Sequence, residues 1–276
     1  MSRPFRQVDV FTTIPYQGNP VAVVLDGAGL DDDAMRAFAR WTNLSETTFV
    51  LPPTSPAADY RVRIFTPSSE LPFAGHPTLG TCHAWLAERP ASARPARIVQ
   101  ECGVGLVPLR QTPDGLAFAA PPLRRSGPVE GPLVARISAM LGITPDDVVA
   151  AQWVDNGPGW VAVLLEHAES VLALRPRGVD LNLGVVGPWP PGSETAFEVR
   201  AFMPMGDATI EDPVTGSLNA SLAQWLLRTG RASAPYTASQ GSVLHRAGRI
   251  HISTDADGTV WVAGGTVTCL SGAAEL

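Results

Sequence analysis

One pattern occurs twice in this chain, half a chain length apart. Glu70-Leu-Pro-Phe-Ala-Gly-His76 and Glu211-Asp-Pro-Val-Thr-Gly-Ser217 both read E-x-P-x-x-G-(H/S), at a constant offset of 141 residues. Each copy runs into an apolar stretch, Thr81–Ala87 and Leu218–Leu227. Two further pairs follow the same order. Val21-Ala-Val-Val-Leu25 matches Val161-Ala-Val-Leu-Leu165 at an offset of 140, and Arg63-Ile-Phe-Thr-Pro67 matches Arg200-Ala-Phe-Met-Pro204 at 137. The slip from 137 to 141 places four extra residues within Met205–Ile210. A period near half of 276 residues means internal duplication, because a solenoid needs short units in several copies.

Duplication implies two similar lobes. Pro121–Pro132 is rich in Pro and Gly and carries no periodic apolar pattern, so it is the linker candidate. The expected division is residues 1–122 and 127–264, with the tail 265–276 packing back onto the first lobe.

Local patterns give an α+β composition. Gln7–Thr12, Tyr60–Phe65, Phe197–Phe202 and Arg249–Ser253 alternate as half-buried strands. Val21–Leu25, Thr47–Leu51 and Gly159–Leu165 read as strands, as do Arg97–Leu109 with Leu116–Ala119, Ser242–His245 and Thr259–Ala263. Asp31–Trp41 opens on acids and carries apolar residues at helical spacing, which predicts a helix. Leu133–Leu141, ended by Gly142, predicts another.

Composition excludes several function classes. The net charge is −6, which argues against nucleic acid and anionic membranes as partners. No run approaches membrane-spanning length, and the first residues have no apolar leader core, so a cytoplasmic protein is expected. All twenty cationic residues are arginine. Without lysine there is no Schiff base to pyridoxal phosphate and no P-loop lysine. The three cysteines have neither metal nor disulfide spacing. Gly157–Ala162 fits G-x-G-x-x-A, but a strand follows where a dinucleotide site needs a helix. His76 and His83 stand two helical turns apart, too far to share a metal. No metal site and no cofactor are expected.

The repeated loops are the chemical candidates. A helix N-terminus exposes unpaired N–H groups and the positive end of the dipole, and glycine lets a ligand approach closely. Gly75-His76-Pro77-Thr78 and Thr215-Gly216-Ser217 are therefore either a pair of anion cradles or ordinary caps supplied by His76 and Ser217. Glu46 follows Ser45 in a turn between helix and strand. It is either a solvated loop acid or, with His76 and Asp212, part of a general acid/base set. Glu70 and Glu211 match across the repeat, which favours a structural role at each helix entrance.

Asn43-Leu-Ser-Glu-Thr47, Arg63-x-Phe-x-Pro67, Gly75-His-Pro-Thr-x-Gly80 and Glu211-Asp-Pro-x-Thr-Gly-Ser217 together resemble the PhzF-like isomerases of phenazine biosynthesis. Asp9-Val-Phe, Gly18-Asn-Pro20 and Gln240-Gly241 fit as well, so the resemblance covers nearly the whole chain. It implies the diaminopimelate epimerase-like fold, with two pseudo-twofold-related lobes. In each, a curved mixed sheet wraps a central hydrophobic helix, and the active site lies in the cleft between lobes. It implies a cofactor-independent isomerase in which Glu46 moves a proton between carbons of a small conjugated carboxylate, as in trans-2,3-dihydro-3-hydroxyanthranilate isomerase. By motif, Glu46, His76 and Asp212 become catalytic, while Ser45, Gly75, Gly216 and Ser217 bind substrate. A homodimer is implied too. Epimerisation of an amino or hydroxy acid is the alternative, and a non-catalytic binding protein on the same fold is the third. In the epimerase itself each loop carries a catalytic cysteine, and neither loop here has one. Trp41, Asn219 and the Ser242–Gly248 segment depart from the family pattern and leave the substrate open.

Overall fold

The computed structural model describes residues Met1–Leu276 and divides into two compact units. The first comprises Met1–Ala119 with Ala263–Leu276, and the second comprises Ala120–Val262. No helix is long and apolar enough to cross a membrane.

In the first unit the elements run β1 (Ser2–Val10), β2 (Asn19–Val24), α1 (Asp32–Thr42), β3 (Glu46–Leu51), β4 (Tyr60–Phe65), β5 (Glu70–Leu71) and α2 (Gly75–Ala87). Then come β6 (Arg97–Cys102), β7 (Gly105–Thr112) and β8 (Gly115–Ala119). The second unit carries β9 (Arg125–Pro128), α3 (Gly131–Leu141), β10 (Ala150–Asp155), β11 (Val161–Leu164), α4 (Ala168–Ala173) and β12 (Leu183–Pro188). It continues with β13 (Phe197–Met205), β14 (Ala208–Asp212), α5 (Gly216–Arg228), β15 (Tyr236–Gln240), β16 (Gly248–Thr254) and β17 (Val260–Gly264). Strand β18 (Thr266–Glu275) returns to the first unit, where it pairs antiparallel with β1.

The two units repeat one pairing scheme. β2 runs parallel to β3, β3 antiparallel to β4, and β4 forms a hairpin with β5 and a parallel pair with β6. In the second unit β11, β12, β13, β14 and β15 take the same places in the same senses. Parallel neighbours cannot be joined by a tight turn, so each requires a crossover. Helix α1 supplies it between β2 and β3, and α2 between the β4–β5 hairpin and β6.

The repeat extends to side chains. Arg63 Nε and Nη2 donate to the two carboxylate oxygens of Glu70, at 2.7 and 2.6 Å. Arg200 does the same to Glu211, at 2.9 and 2.7 Å. Each guanidinium also lies over the phenylalanine two residues on, at 5.0 Å from Phe65 and 4.9 Å from Phe202. The two glutamates thus brace the hairpins that lead into α2 and α5. The four extra residues of the second copy lengthen its hairpin, which pairs Met203–Met205 with Ala208–Ile210.

α2 is apolar on nearly every side and is buried along most of its length, as a helix enclosed by its own sheet must be. Gly80 makes the close approach possible, since a Cβ there would lie 2.3 Å from Val21 Cγ1 on β2. The helix starts at Gly75, so Pro77 is its third residue, not its first. Its missing N–H still falls among those that no helical carbonyl can serve.

Two local readings change. Ser242–Leu244 is a 3-10 turn and not a strand. Gly241 and His245 hold positive φ of 93° and 56° on either side, which no strand accommodates. The Pro- and Gly-rich stretch 121–132 carries β9, paired antiparallel with β10 over Arg125–Pro128.

Candidate active site

Glu46 is the first residue of β3, and three features place it there. Asp31 caps the start of α1, its Oδ1 accepting from Ala34 N at 2.8 Å. Asn43 ends the helix in the left-handed region at φ 52°, its N–H bonding Ala39 O. Asparagine tolerates that conformation better than most residues. The chain then reverses through Leu44 and Ser45, and a 2.9 Å contact between the hydroxyls of Thr42 and Thr47 closes the turn. β3 pairs with β2 in a register that sets Glu46 opposite Val21.

His76 arrives from α2, where it is the second residue. The helix is tied to the strand by Thr81, whose hydroxyl donates to Thr48 Oγ1 at 2.8 Å. His76 Nε2 stands 3.1 Å from Glu46 Oε2, with the side chains only 4% and 14% exposed. On the other side of the ring, His76 Nδ1 lies 3.3 Å from Asn19 Nδ2. Burial pushes the imidazole down to about 3, against a weaker opposing effect from a hydrogen bond to the Pro20 carbonyl. His76 is therefore a neutral imidazole at physiological pH. The first unit thus brings Glu46, His76 and Gly75 into one cluster, with Ser45 exposed beside Glu46.

The second unit holds the remaining candidates. Asp212 closes β14 and is buried; its Oδ2 accepts from the Thr215 hydroxyl at 2.6 Å. Gly216 opens α5 and Ser217 follows it. Ser217 Oγ accepts from Trp160 Nε1 at 3.1 Å, and Ser217 O accepts from Asn156 Nδ2 at 2.8 Å. The hydroxyl hydrogen of Ser217 remains free to donate elsewhere.

Neither His76 nor Ser217 is a helix cap. The N-cap residues are Ala74 and Thr215, and neither gives a side-chain bond to its helix. His76 and Ser217 lie inside their helices and cap nothing.

Sequence reasoning passed over Asn19, Asn156, Trp160 and Gln240, which contact the candidate site residues or the loop that carries them. Gly18-Asn-Pro20 and Gln240-Gly241 were visible motifs, but nothing in their spacing showed where the side chains go. Trp41 is 81% exposed and stacks on Phe38, with centroids 6.2 Å apart. Asn219 turns inward to Gln240.

The profile of the PhzC-PhzF family, described as phenazine biosynthesis-like protein, matches residues 8–272. The chain is 36% identical to antisense-enhancing sequence 1 of Schizosaccharomyces pombe over 97% of each protein. It is 37% identical to trans-2,3-dihydro-3-hydroxyanthranilate isomerase of Pseudomonas aeruginosa, over 80% of this chain and 78% of that one. Among solved structures, the Bacillus anthracis phenazine biosynthesis protein of the PhzF family superposes with a TM-score of 0.84 at 23% identity, covering 100% of both chains.

Proposed function

The chain belongs to the phenazine biosynthesis-like family and has isomerases among its relatives, and from that premise we propose that it moves a proton within a small conjugated carboxylate, with Glu46 as acid and base. The observation that carries the reading is the 3.1 Å approach of His76 Nε2 to Glu46 Oε2. A carboxylate at a strand end, largely buried and 3.1 Å from a buried imidazole, suits a general base.

In the proposed reaction Glu46 removes a proton from a carbon made acidic by conjugation to the substrate's carboxylate. The electron pair spreads over the conjugated system. Glu46 then returns the proton to a different carbon, so the product is an isomer and no other reactant is consumed. His76 holds the carboxyl in place. Asp212 assists the proton transfer, while Ser45, Gly75, Gly216 and Ser217 bind substrate. The N–H groups in the first turns of α2 and α5 suit a carboxylate or a developing enolate charge, because no side-chain cap occupies them. The enzyme is proposed to act without a cofactor, in the cytoplasm and as a homodimer.

The cysteines weigh against thiol-based epimerisation. Cys82 is buried in mid-helix with its thiol pushed up to about 12, chiefly by burial, and Cys102 and Cys269 lie on β6 and β18 and not within either repeated loop.

The test is turnover of trans-2,3-dihydro-3-hydroxyanthranilate in deuterium oxide by wild type and Glu46→Gln. Wild type should shift the ultraviolet spectrum and incorporate solvent deuterium, and the variant should bind but do neither. Full activity in Glu46→Gln refutes the proposal.

A further inference from the structure

Gln240 ends β15 and is 1% exposed, and its amide makes four hydrogen bonds. Its Oε1 accepts from the backbone N–H of Thr215 at 3.0 Å and from Asn219 Nδ2 at 2.8 Å. Its Nε2 donates to Thr215 Oγ1 at 3.0 Å and to Asp212 O at 3.2 Å. Asn219 Nδ2 also donates to Thr215 O at 2.9 Å.

The direction of every bond in this chain follows from chemistry. A backbone N–H only donates, so the amide atom facing Thr215 N is the oxygen. The other end of the amide, its NH₂, therefore faces Thr215 Oγ1. A hydroxyl that accepts from an NH₂ must send its single hydrogen elsewhere. The partner in that direction is Asp212 Oδ2, at 2.6 Å. The Thr215 hydroxyl is thus a fixed donor to the Asp212 carboxylate, and Gln240 fixes it.

The first unit shows that the fold does not need this device. In the repeated loops, Leu71 stands at the place of Asp212 and Ala74 at the place of Thr215. Strand β6 pairs with β4 in the register that β15 keeps with β13, which puts Gln100 level with Ala238 and Cys102 level with Gln240. Gln100 reaches Thr78 and Tyr60 and not the loop. Three buried polar residues in one half therefore replace leucine, alanine and cysteine in the other. Buried polar groups cost stability unless fully bonded, so this set follows the acid and not the architecture.

We propose that Gln240 is a positioning residue for Asp212, acting through Thr215, with Asn219 holding the amide the right way round. The proposal rests on the reading above that Asp212 serves the reaction. A charge-assisted bond from Thr215 pins one carboxylate oxygen and thereby sets where the other points. Gln240 also binds the backbone on both sides of the Asp212–Thr215 turn, so loop and side chain are held together.

The test uses the full chain labelled with ¹³C at aspartate carboxyl carbons. The Asp212 resonance is assigned by its absence in Asp212→Asn. Thr215→Val and Gln240→Met should each move that resonance, and Thr215→Ser, which keeps the hydroxyl, should leave it in place. On trans-2,3-dihydro-3-hydroxyanthranilate the first two should lose roughly tenfold or more in kcat with little change in KM. Thr215→Ser should stay near wild type. An unmoved resonance in both folded variants overturns the proposal, as does a moved resonance with unchanged kcat, or a Thr215→Ser variant as impaired as Thr215→Val. A wild-type chain that neither converts the substrate nor exchanges its protons refutes the isomerase reading instead, and the resonance still decides the relay.

Discussion

His76 Nε2 lies 3.1 Å from Glu46 Oε2, although the two residues stand thirty positions apart and on different kinds of element. Helix α2 delivers one and strand β3 the other, and the Thr81–Thr48 hydroxyl bond locks helix to strand.

That buried imidazole makes stability depend on pH. His76 is depressed to about 3 from 6.5. Between those values the unfolded chain binds a proton that the folded chain refuses, so this contribution is intact above pH 6.5 and is lost as pH falls towards 3. From pH 7.5 to 4.5 the loss is on the order of 2–3 kcal/mol. Urea unfolding at the two pH values should show a smaller difference for His76→Gln than for wild type. An unchanged difference would mean that the ring is protonated in the folded state.

The two arginine–glutamate braces differ in depth. Arg200 and Glu211 have side chains only 4% and 11% exposed, against 21% and 34% for Arg63 and Glu70. Arg200 also donates to the carbonyls of Val171 and Leu174. Arg200→Ala leaves a carboxylate buried without its partner and should cost about 3–5 kcal/mol. Arg63→Ala should cost about 1 kcal/mol, because water can take over the exposed partner. Denaturant midpoints of the two variants check the order.

Gly80 couples packing to the site. A methyl group there meets Val21 on β2, and Val21 is paired in register with Glu46. Gly80→Ala should destabilise by about 1–3 kcal/mol and lower kcat together. Adding Val21→Ala removes the clashing methyl and should recover part of both. A double variant no better than Gly80→Ala would show that the clash lies elsewhere.

Asn43 turns the chain from α1 into the segment that bears Glu46, with φ at 52°. Glycine adopts that region freely, and a β-branched residue does not. Asn43→Gly should leave melting temperature and activity near wild type. Asn43→Val should lose about 1–2 kcal/mol and blunt turnover, as differential scanning calorimetry and initial rates would show.

Much of the fold was legible because the duplication copied chemistry as well as pattern. Arg63 with Glu70 and Arg200 with Glu211 sit at matching places, and both hairpins close on the same bidentate pair. The αL residue after α1, the apolar character of α2 and the glycine after α3 are short-range signals, and local propensity determines them. The 3-10 turn at Ser242–Leu244 was hidden, because apolar residues between turn residues look alike in a strand and in a tight turn.

What the chain alone determined was the repeat, the family and the short set of polar residues in unpatterned places. Only tertiary structure decided which of them meet. Glu46 matches Leu183 in the other half, since Val21 pairs with Glu46 where Val161 pairs with Leu183. Asp212 likewise matches Leu71. The two halves keep one backbone and carry different acids. A carboxylate's neighbours come from strand register and helix approach, which act between residues far apart in sequence. The same long-range geometry fixes which way the amide of Gln240 points, and with it the proton of Thr215.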